Sequence, residues 1–256
     1  SPEVLFSLGR SYQGKRQFKD AFESFNRVWE LAPDNKPNNA CIAQCLAESA
    51  RDDKFTRDEK IGELKSAIAY YRQALGDPRV SEAALNSNIG YCYLALRKLE
   101  SVEEYLHSAE QYLNASLALN PYESIAHHHL VVVNRLRSTQ SLDLFDRQVL
   151  ENAMMYADGE PEIYFEAANG YAFLLRGITD ESERAATLRL CLECCRKAIE
   201  CGLSPGKLNS VVNNLKMAKD LSRDSEEMAE IEKILIRPVR TGTTQEFNPL
   251  IDPVIE

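Results

Sequence analysis

Residues 5–33 carry Leu5-x2-Leu8-Gly9-x2-Tyr12, then Ala21-x3-Phe25, then Pro33. Nine residues lead from Tyr12 to Ala21 and eight from Phe25 to Pro33. Both halves place apolar residues at the three- and four-residue spacing of one helix face. Gly9 and Ala21 are small, which lets two paired helices cross closely, while Tyr12 and Phe25 are large enough to fill the space beside that crossing. Proline then stops one helix or starts the next where no backbone hydrogen bond is lost. The stretch therefore predicts a helical hairpin.

The pattern recurs. Pro33, Pro78, Pro121, Pro161 and Pro205 are spaced by 45, 43, 40 and 44 residues, and a period of this length points to stacked helical hairpins. The third period keeps Asn86-x2-Ile89-Gly90-x2-Tyr93 and Ala109-x3-Leu113, but sixteen residues now separate Tyr93 from Ala109. Seven extra residues are about two helical turns, so one turn is expected in each helix without rotating either apolar face. The second period (Ile42-Ala43-x2-Leu46, Ala67-x3-Tyr71) carries twelve extra residues, including Arg51-Asp52-Asp53-Lys54. The fourth (His127-x2-Leu130-Val131-x2-Asn134, Val149-x3-Ala153) is the most diverged, and the fifth reads Asn169-Gly170-x2-Phe173 with Cys191-x3-Cys195.

This set of residues resembles the tetratricopeptide signature, with Leu5 where the family places tryptophan. The likeness spans residues 2 to about 204 and is most specific in the first and third periods. The resemblance implies an all-α fold, a right-handed α-solenoid of about six antiparallel helix hairpins, here with lengthened helices. The expected solenoid occupies 1–236, with hairpins at about 2–33, 37–77, 79–120, 122–158, 161–203 and 205–236. The last pair rests on Leu208, Val211, Val212, Leu215 and Ala218, then Met228, Ile231, Ile234 and Leu235, beside a glutamate-rich face suited to a solubilising end cap. From 237 to 256, four residues (Pro238, Gly242, Pro249, Pro253) break helix, which leaves an extended tail or linker. Its apolar Phe247 and Leu250 are expected either to dock on the last hairpins or a neighbouring molecule, or to belong to a linker toward a further domain.

Composition limits the functions available. The chain has 256 residues, a net charge of −9 and a sequence pI of about 5.2. An acidic balance opposes nucleic-acid and anionic-membrane partners, and no apolar run approaches the ~18 residues of a membrane span. The chain starts Ser1-Pro2 without methionine and is read as a fragment. Seven cysteines, all in helical segments, read as reduced core thiols and suggest a cytoplasmic setting.

Two clusters raise the question of metal. Cys191-x2-Cys194-Cys195 with Cys201 nearby is thiolate-rich, but Cys191 and Cys195 fall on the two small packing positions of the repeat. In His127-His128-His129, consecutive helical residues diverge by about 100° and cannot chelate one ion together. No nucleotide-binding glycine loop, nucleophile elbow or H-E-x-x-H motif is present. The expectation is no catalysis, no metal and no cofactor.

The leading reading is a protein–protein interaction scaffold that holds a peptide or protein partner in its concave groove. The alternatives are the regulatory or substrate-recruiting arm of a larger multidomain enzyme, and a helical ligand-binding protein. The resemblance implies that the first helix of each hairpin lines the groove. Numbering each repeat from its own motif places Phe6, Arg10, Asn88, Tyr91, His128, Arg135, Tyr164 and Tyr171 there as partner-binding residues. The four aromatics are expected either as exposed binding anchors or as packing between adjacent hairpins, the two arginines as electrostatic anchors, and Asn88 and His128 as hydrogen-bonding groups. Glu3, Gln13, Gln44, Glu48, Ser87, Leu94, His129 and Leu174 share those positions. Family members that grip a chaperone tail use lysine and asparagine at set positions in the first helices. Here Phe6 and Arg10 stand at the first-repeat positions, so that two-carboxylate clamp is largely missing.

Overall fold

The computed structural model describes residues 1–138, 147–157, 159–217, 250 and 252–254. Among the described residues eleven α-helices follow one another: α1 (Pro2–Gly14), α2 (Phe18–Leu31), α3 (Lys36–Ser49), α4 (Arg57–Ala74), α5 (Glu82–Glu100), α6 (Glu103–Leu119), α7 (Ser124–Ser138), α8 (Arg147–Met155), α9 (Pro161–Leu174), α10 (Glu181–Glu200) and α11 (Asn209–Met217). A 3-10 turn at Pro205–Leu208 leads into α11. Among the described residues the only β-type pairing is an isolated bridge between Val80 and Val254. The protein is an all-α solenoid of helix hairpins.

Two compact units divide the chain, Ser1–Ala126 with Asn248–Glu256, and His127–Phe247. In the first, each helix from α1 to α6 packs chiefly on its sequence neighbours, and α3 also touches α1 and α5. That nearest-neighbour pattern is what a stack of hairpins produces. Its core joins Ala21, Phe25, Ile42, Leu64, Tyr71, Leu85, Ile89 and Leu96. In the second unit α9 packs on α8, α10 and α11 around a core that includes Leu150, Ile163, Tyr171, Cys191, Cys195 and Leu215.

Local sequence explains where the helices start. Asn35, Ser81 and Asp180 each accept the backbone N–H three residues on, satisfying a donor that the first turn leaves unpaired. Thr56 and Glu59 bond reciprocally at the head of α4. Crossings follow the small residues: a Cβ on Gly9 would lie 2.5 Å from the Phe25 ring, and one on Gly90 would lie 2.7 Å from Leu113. Buried polar groups tie neighbouring helices at two further points. Asn38 Nδ2 donates to the Phe25 carbonyl at 3.0 Å, and Ser116 Oγ to the Ala83 carbonyl at 2.8 Å.

The inserted residues are distributed less evenly than one turn per helix. In the third hairpin both helices grow, α5 to 19 residues and α6 to 17, against 13 and 14 in the first hairpin. In the second hairpin α3 stays at 14 residues while α4 reaches 18. The remainder forms the connection 50–56, pinned by Arg51 on Glu48 at 2.8 Å and by Lys60 on Asp53 at 3.5 Å. The fifth hairpin likewise puts its excess into the second helix, 14 residues in α9 and 20 in α10. The start expected for the second helix of the fourth pair, the last helix (225–236) and Phe247 lie outside the described residues.

The described part of the C-terminal segment docks on the first unit. Leu250 is 3% exposed within that unit's core, Pro253 is buried, and the Pro253 carbonyl accepts the Ser81 N–H at 2.7 Å. Of the expected alternatives for this tail (docking on the last hairpins, docking on a neighbouring molecule, or a linker), Leu250 instead joins the core of the first unit.

Candidate functional site

The first helices of the first three hairpins, α1, α3 and α5, present a linked row of polar side chains. Arg10 Nη1 donates to Asp252 Oδ2 at 2.6 Å and to Gln13 Oε1 at 3.1 Å. Gln13 Nε2 in turn donates to Gln44 Oε1 at 2.7 Å, so α1 and α3 are joined by buried amides. One turn along α3, Glu48 receives Arg51. Glu48 Oε1 and, on α5, Ser87 Oγ are buried with no hydrogen-bond partner. Burial raises the Tyr91 phenol above its ordinary range, and the neighbouring Arg51 charge only partly offsets it. An unsatisfied buried acceptor or hydroxyl costs about 1–3 kcal/mol, so each is a local strain on this part of the stack.

Beside this row, a cavity of about 320 Å³ opens at the N-terminal ends of α1 and α3. Pro2, Phe6, Asn35, Pro37 and Arg79 line it, with Val254 of the C-terminal segment on one side. Phe6 is half-buried and its ring lies 5.7 Å from that of Phe25, which fixes its angle into the cavity wall. Burial pushes the Cys41 thiol up to about 12 despite the Arg10 guanidinium nearby. That thiol is neutral at physiological pH and contributes packing, not charge.

The eight expected site residues fall into two sets. Phe6, Arg10, Asn88 and Tyr91 belong to the first unit; His128, Arg135, Tyr164 and Tyr171 belong to the second. Phe6 and Arg10 lie one turn apart on α1, Phe6 on the cavity wall and Arg10 against Gln13 and Asp252. Asn88 is fully buried at 0% exposure, and Tyr91 is half-buried and packed against the core. Tyr171 requires a correction. At 1% exposure it is one of the largest core side chains of the second unit and cannot meet a partner. The reason is that α9 carries apolar residues nearly all round, so the helix is enclosed on the face where Tyr171 was expected to be open.

The histidines are also enclosed. His127 stacks on Tyr156 at 4.7 Å, and His128 meets His129 edge-on at 5.1 Å, all three being buried. Arg135 Nε pairs with Glu166 Oε2 at 3.3 Å, and Tyr164 lies 5.7 Å from the Lys197 ammonium. Cys191 Sγ donates to the Ala168 carbonyl and Cys194 Sγ contacts Met154 Sδ, so these thiols are used in helix packing. Among the described residues no group of three or more His, Cys, Asp or Glu is placed to hold a metal ion. Sequence reasoning missed Asp252, Ser81 and Arg79. Only the apolar character of the tail hinted at them, because their neighbours are set by long-range packing.

Comparison with known proteins agrees with the helical-hairpin fold. Residues 2–35 match the family profile described as tetratricopeptide repeat. The chain's fold is similar to that of TTC0263, a thermophilic tetratricopeptide-repeat protein of Thermus thermophilus, at 19% identity and a TM-score of 0.53, covering 85% of this chain and 98% of that one. It is also similar to YrrB, described as a tetratricopeptide-repeat protein with an unusual peptide-binding site, at 14% identity and a TM-score of 0.50, covering 83% and 90% of the two chains. No curated protein matches the chain significantly. Among the described residues no helix is long and apolar enough to cross a membrane.

Proposed function

We propose that this protein is a non-catalytic tetratricopeptide-repeat interaction scaffold whose first unit receives an extended polypeptide on the face formed by α1, α3 and α5. The observation that carries the reading is that this face already holds a stretch of polypeptide through both side-chain and backbone bonds, Asp252 on Arg10 and the Pro253 carbonyl on the Ser81 N–H. Backbone bonds give affinity for any chain, and flanking pockets such as the one beside Phe6 give selectivity. The partner is a protein or peptide. A net charge of −9 disfavours nucleic acid and anionic membranes, and six buried free thiols suit a reducing, cytoplasmic setting.

Affinity capture from source lysate with the full chain, compared with Phe6→Ala/Arg10→Ala, tests the proposal. Both side chains are only partly buried, so the double variant should keep its helical circular-dichroism signal while specific partners drop at least tenfold in the mass-spectrometric yield. Equal retention by the native and double-variant chains would place the binding surface elsewhere.

A further inference from the structure

Four contacts describe what this face accepts, and each comes from the chain's own C-terminal segment. Leu250 is buried in the core of the first unit. Two residues on, Asp252 meets Arg10 at 2.6 Å, and Arg10 is held in place by Gln13, itself bonded to Gln44. Pro253 is buried while its carbonyl takes the Ser81 N–H. A proline suits that place because it has no N–H to leave unsatisfied and its φ is already set for an extended course. Val254 then lies antiparallel to Val80, its N–H donating back to Asp252 Oδ1 at 3.0 Å.

The fit is incomplete at one end. Val254 is only half-buried, and the cavity of about 320 Å³ beside it reaches Pro2, Phe6, Asn35, Pro37 and Arg79. A larger apolar side chain at that position would bury more apolar surface against Pro2, Phe6 and Pro37. The chain's own segment thus makes the specific contacts and leaves part of the cavity, which Glu3 and Ser7 also line, unfilled.

We infer that the face is a receptor for short extended peptides that carry an apolar residue, Asp-Pro beginning two positions later, and then an apolar residue, and that Leu250, Asp252, Pro253 and Val254 occupy it in cis as a weak competitor. This rests on the peptide-receptor reading and names its ligand class and its regulation. A tethered segment acts at an effective concentration on the order of millimolar. Partners must therefore displace it, and those with a bulkier final residue than Val254 do so by filling the cavity.

The test uses the full chain and a fluorescein-labelled synthetic peptide of residues 248–256, followed by fluorescence anisotropy. Asp252→Arg places like charge against Arg10 and releases the segment, so this chain should bind the peptide at least tenfold more tightly than the native chain. Val254→Asp, a second release variant that leaves Asp252 unchanged, should do the same. On either variant, a peptide with leucine in place of Val254 should bind tighter still, and one carrying Asp252→Arg should bind at least tenfold more weakly. Equal binding to native and released chains overturns the inference, as does no binding to released chains that keep their helical signal. Native dimers that dissociate on Asp252→Arg in sedimentation equilibrium also overturn it, since the segment would then be exchanged between copies. Capture of partners lost by Phe6→Ala/Arg10→Ala, together with failure here, leaves the receptor reading standing and removes only this ligand class; failure of both removes the reading itself.

Discussion

At the residue scale, glycines show how far local chemistry depends on a neighbour. Gly9 and Gly62 both lie inside helices, where glycine is about 0.5–1 kcal/mol less favourable than alanine. A Cβ on Gly9 would fall 2.5 Å from the Phe25 ring, whereas Gly62 has nothing within 4 Å. Gly9→Ala should therefore destabilise by about 1–3 kcal/mol through overpacking. Gly62→Ala should stabilise by a few tenths to about 1 kcal/mol. Urea unfolding of the two variants checks the opposite signs.

Thiols give a second residue-scale expectation. Burial raises the Cys41 pKa from 9.0 to about 12, and it raises Cys45, Cys92 and Cys194 in the same direction. A folded-state pKa above the unfolded one contributes stability that is fully present below pH 9 and lost as pH rises through about 12. The melting temperature should fall steadily across that window. Replacing Cys92 with alanine should flatten the fall, and an unchanged slope would assign it to other groups. In native protein at pH 8, a thiol reagent should modify the exposed Cys201 well before the six buried cysteines.

At the element scale, helix starts are written locally and helix lengths are not. The Thr56–Glu59 capping box sits directly after the charged insert and sets the first residue of α4. Losing the Thr56 hydroxyl removes both the bond from the Glu59 N–H and the one donated to the Glu59 carboxylate at 2.7 Å. Thr56→Ala should cost about 0.5–2 kcal/mol in chemical denaturation and increase amide exchange in the first turn of α4. An unaffected first turn would mean that tertiary contacts alone hold that end. The insert's length suggested one added turn per helix, yet only the third hairpin shares its extra residues between both helices. Where α4 ends, by contrast, depends on what covers it. Arg72 at its C-terminal end is held by the hydroxyls of Tyr93 and Tyr112 at 2.8 and 3.0 Å, a contact between three different helices.

At the scale of the whole molecule, the C-terminal segment joins a core whose other members lie far earlier in the chain. Leu64 and Leu250 are both buried in the first unit, at 2% and 3% exposure. Leu64→Ala should cost about 2–5 kcal/mol, because α4 cannot leave the stack without unfolding it. Leu250→Ala should cost less, since its effect is capped by the free energy of docking a short segment that can detach. Equal losses in urea unfolding would show that the segment is integral to the core.

Sequence alone determined the helical repeat. The spacing of Leu5, Leu8, Gly9, Tyr12, Ala21, Phe25 and Pro33 is a local code, since residues three and four apart share a helix face and small residues mark a crossing. It placed Phe6 and Arg10 on one face for the same reason. Only the tertiary structure decided which groove positions remained open. Tyr171, His128 and Asn88 hold the expected register yet are buried, because exposure depends on what packs over a helix, and no periodicity within the helix encodes that. It alone also paired Arg10 with Asp252, 242 positions apart, since a contact at that separation comes from how the stack folds back on its own tail, and neither residue carries a local signal of the other.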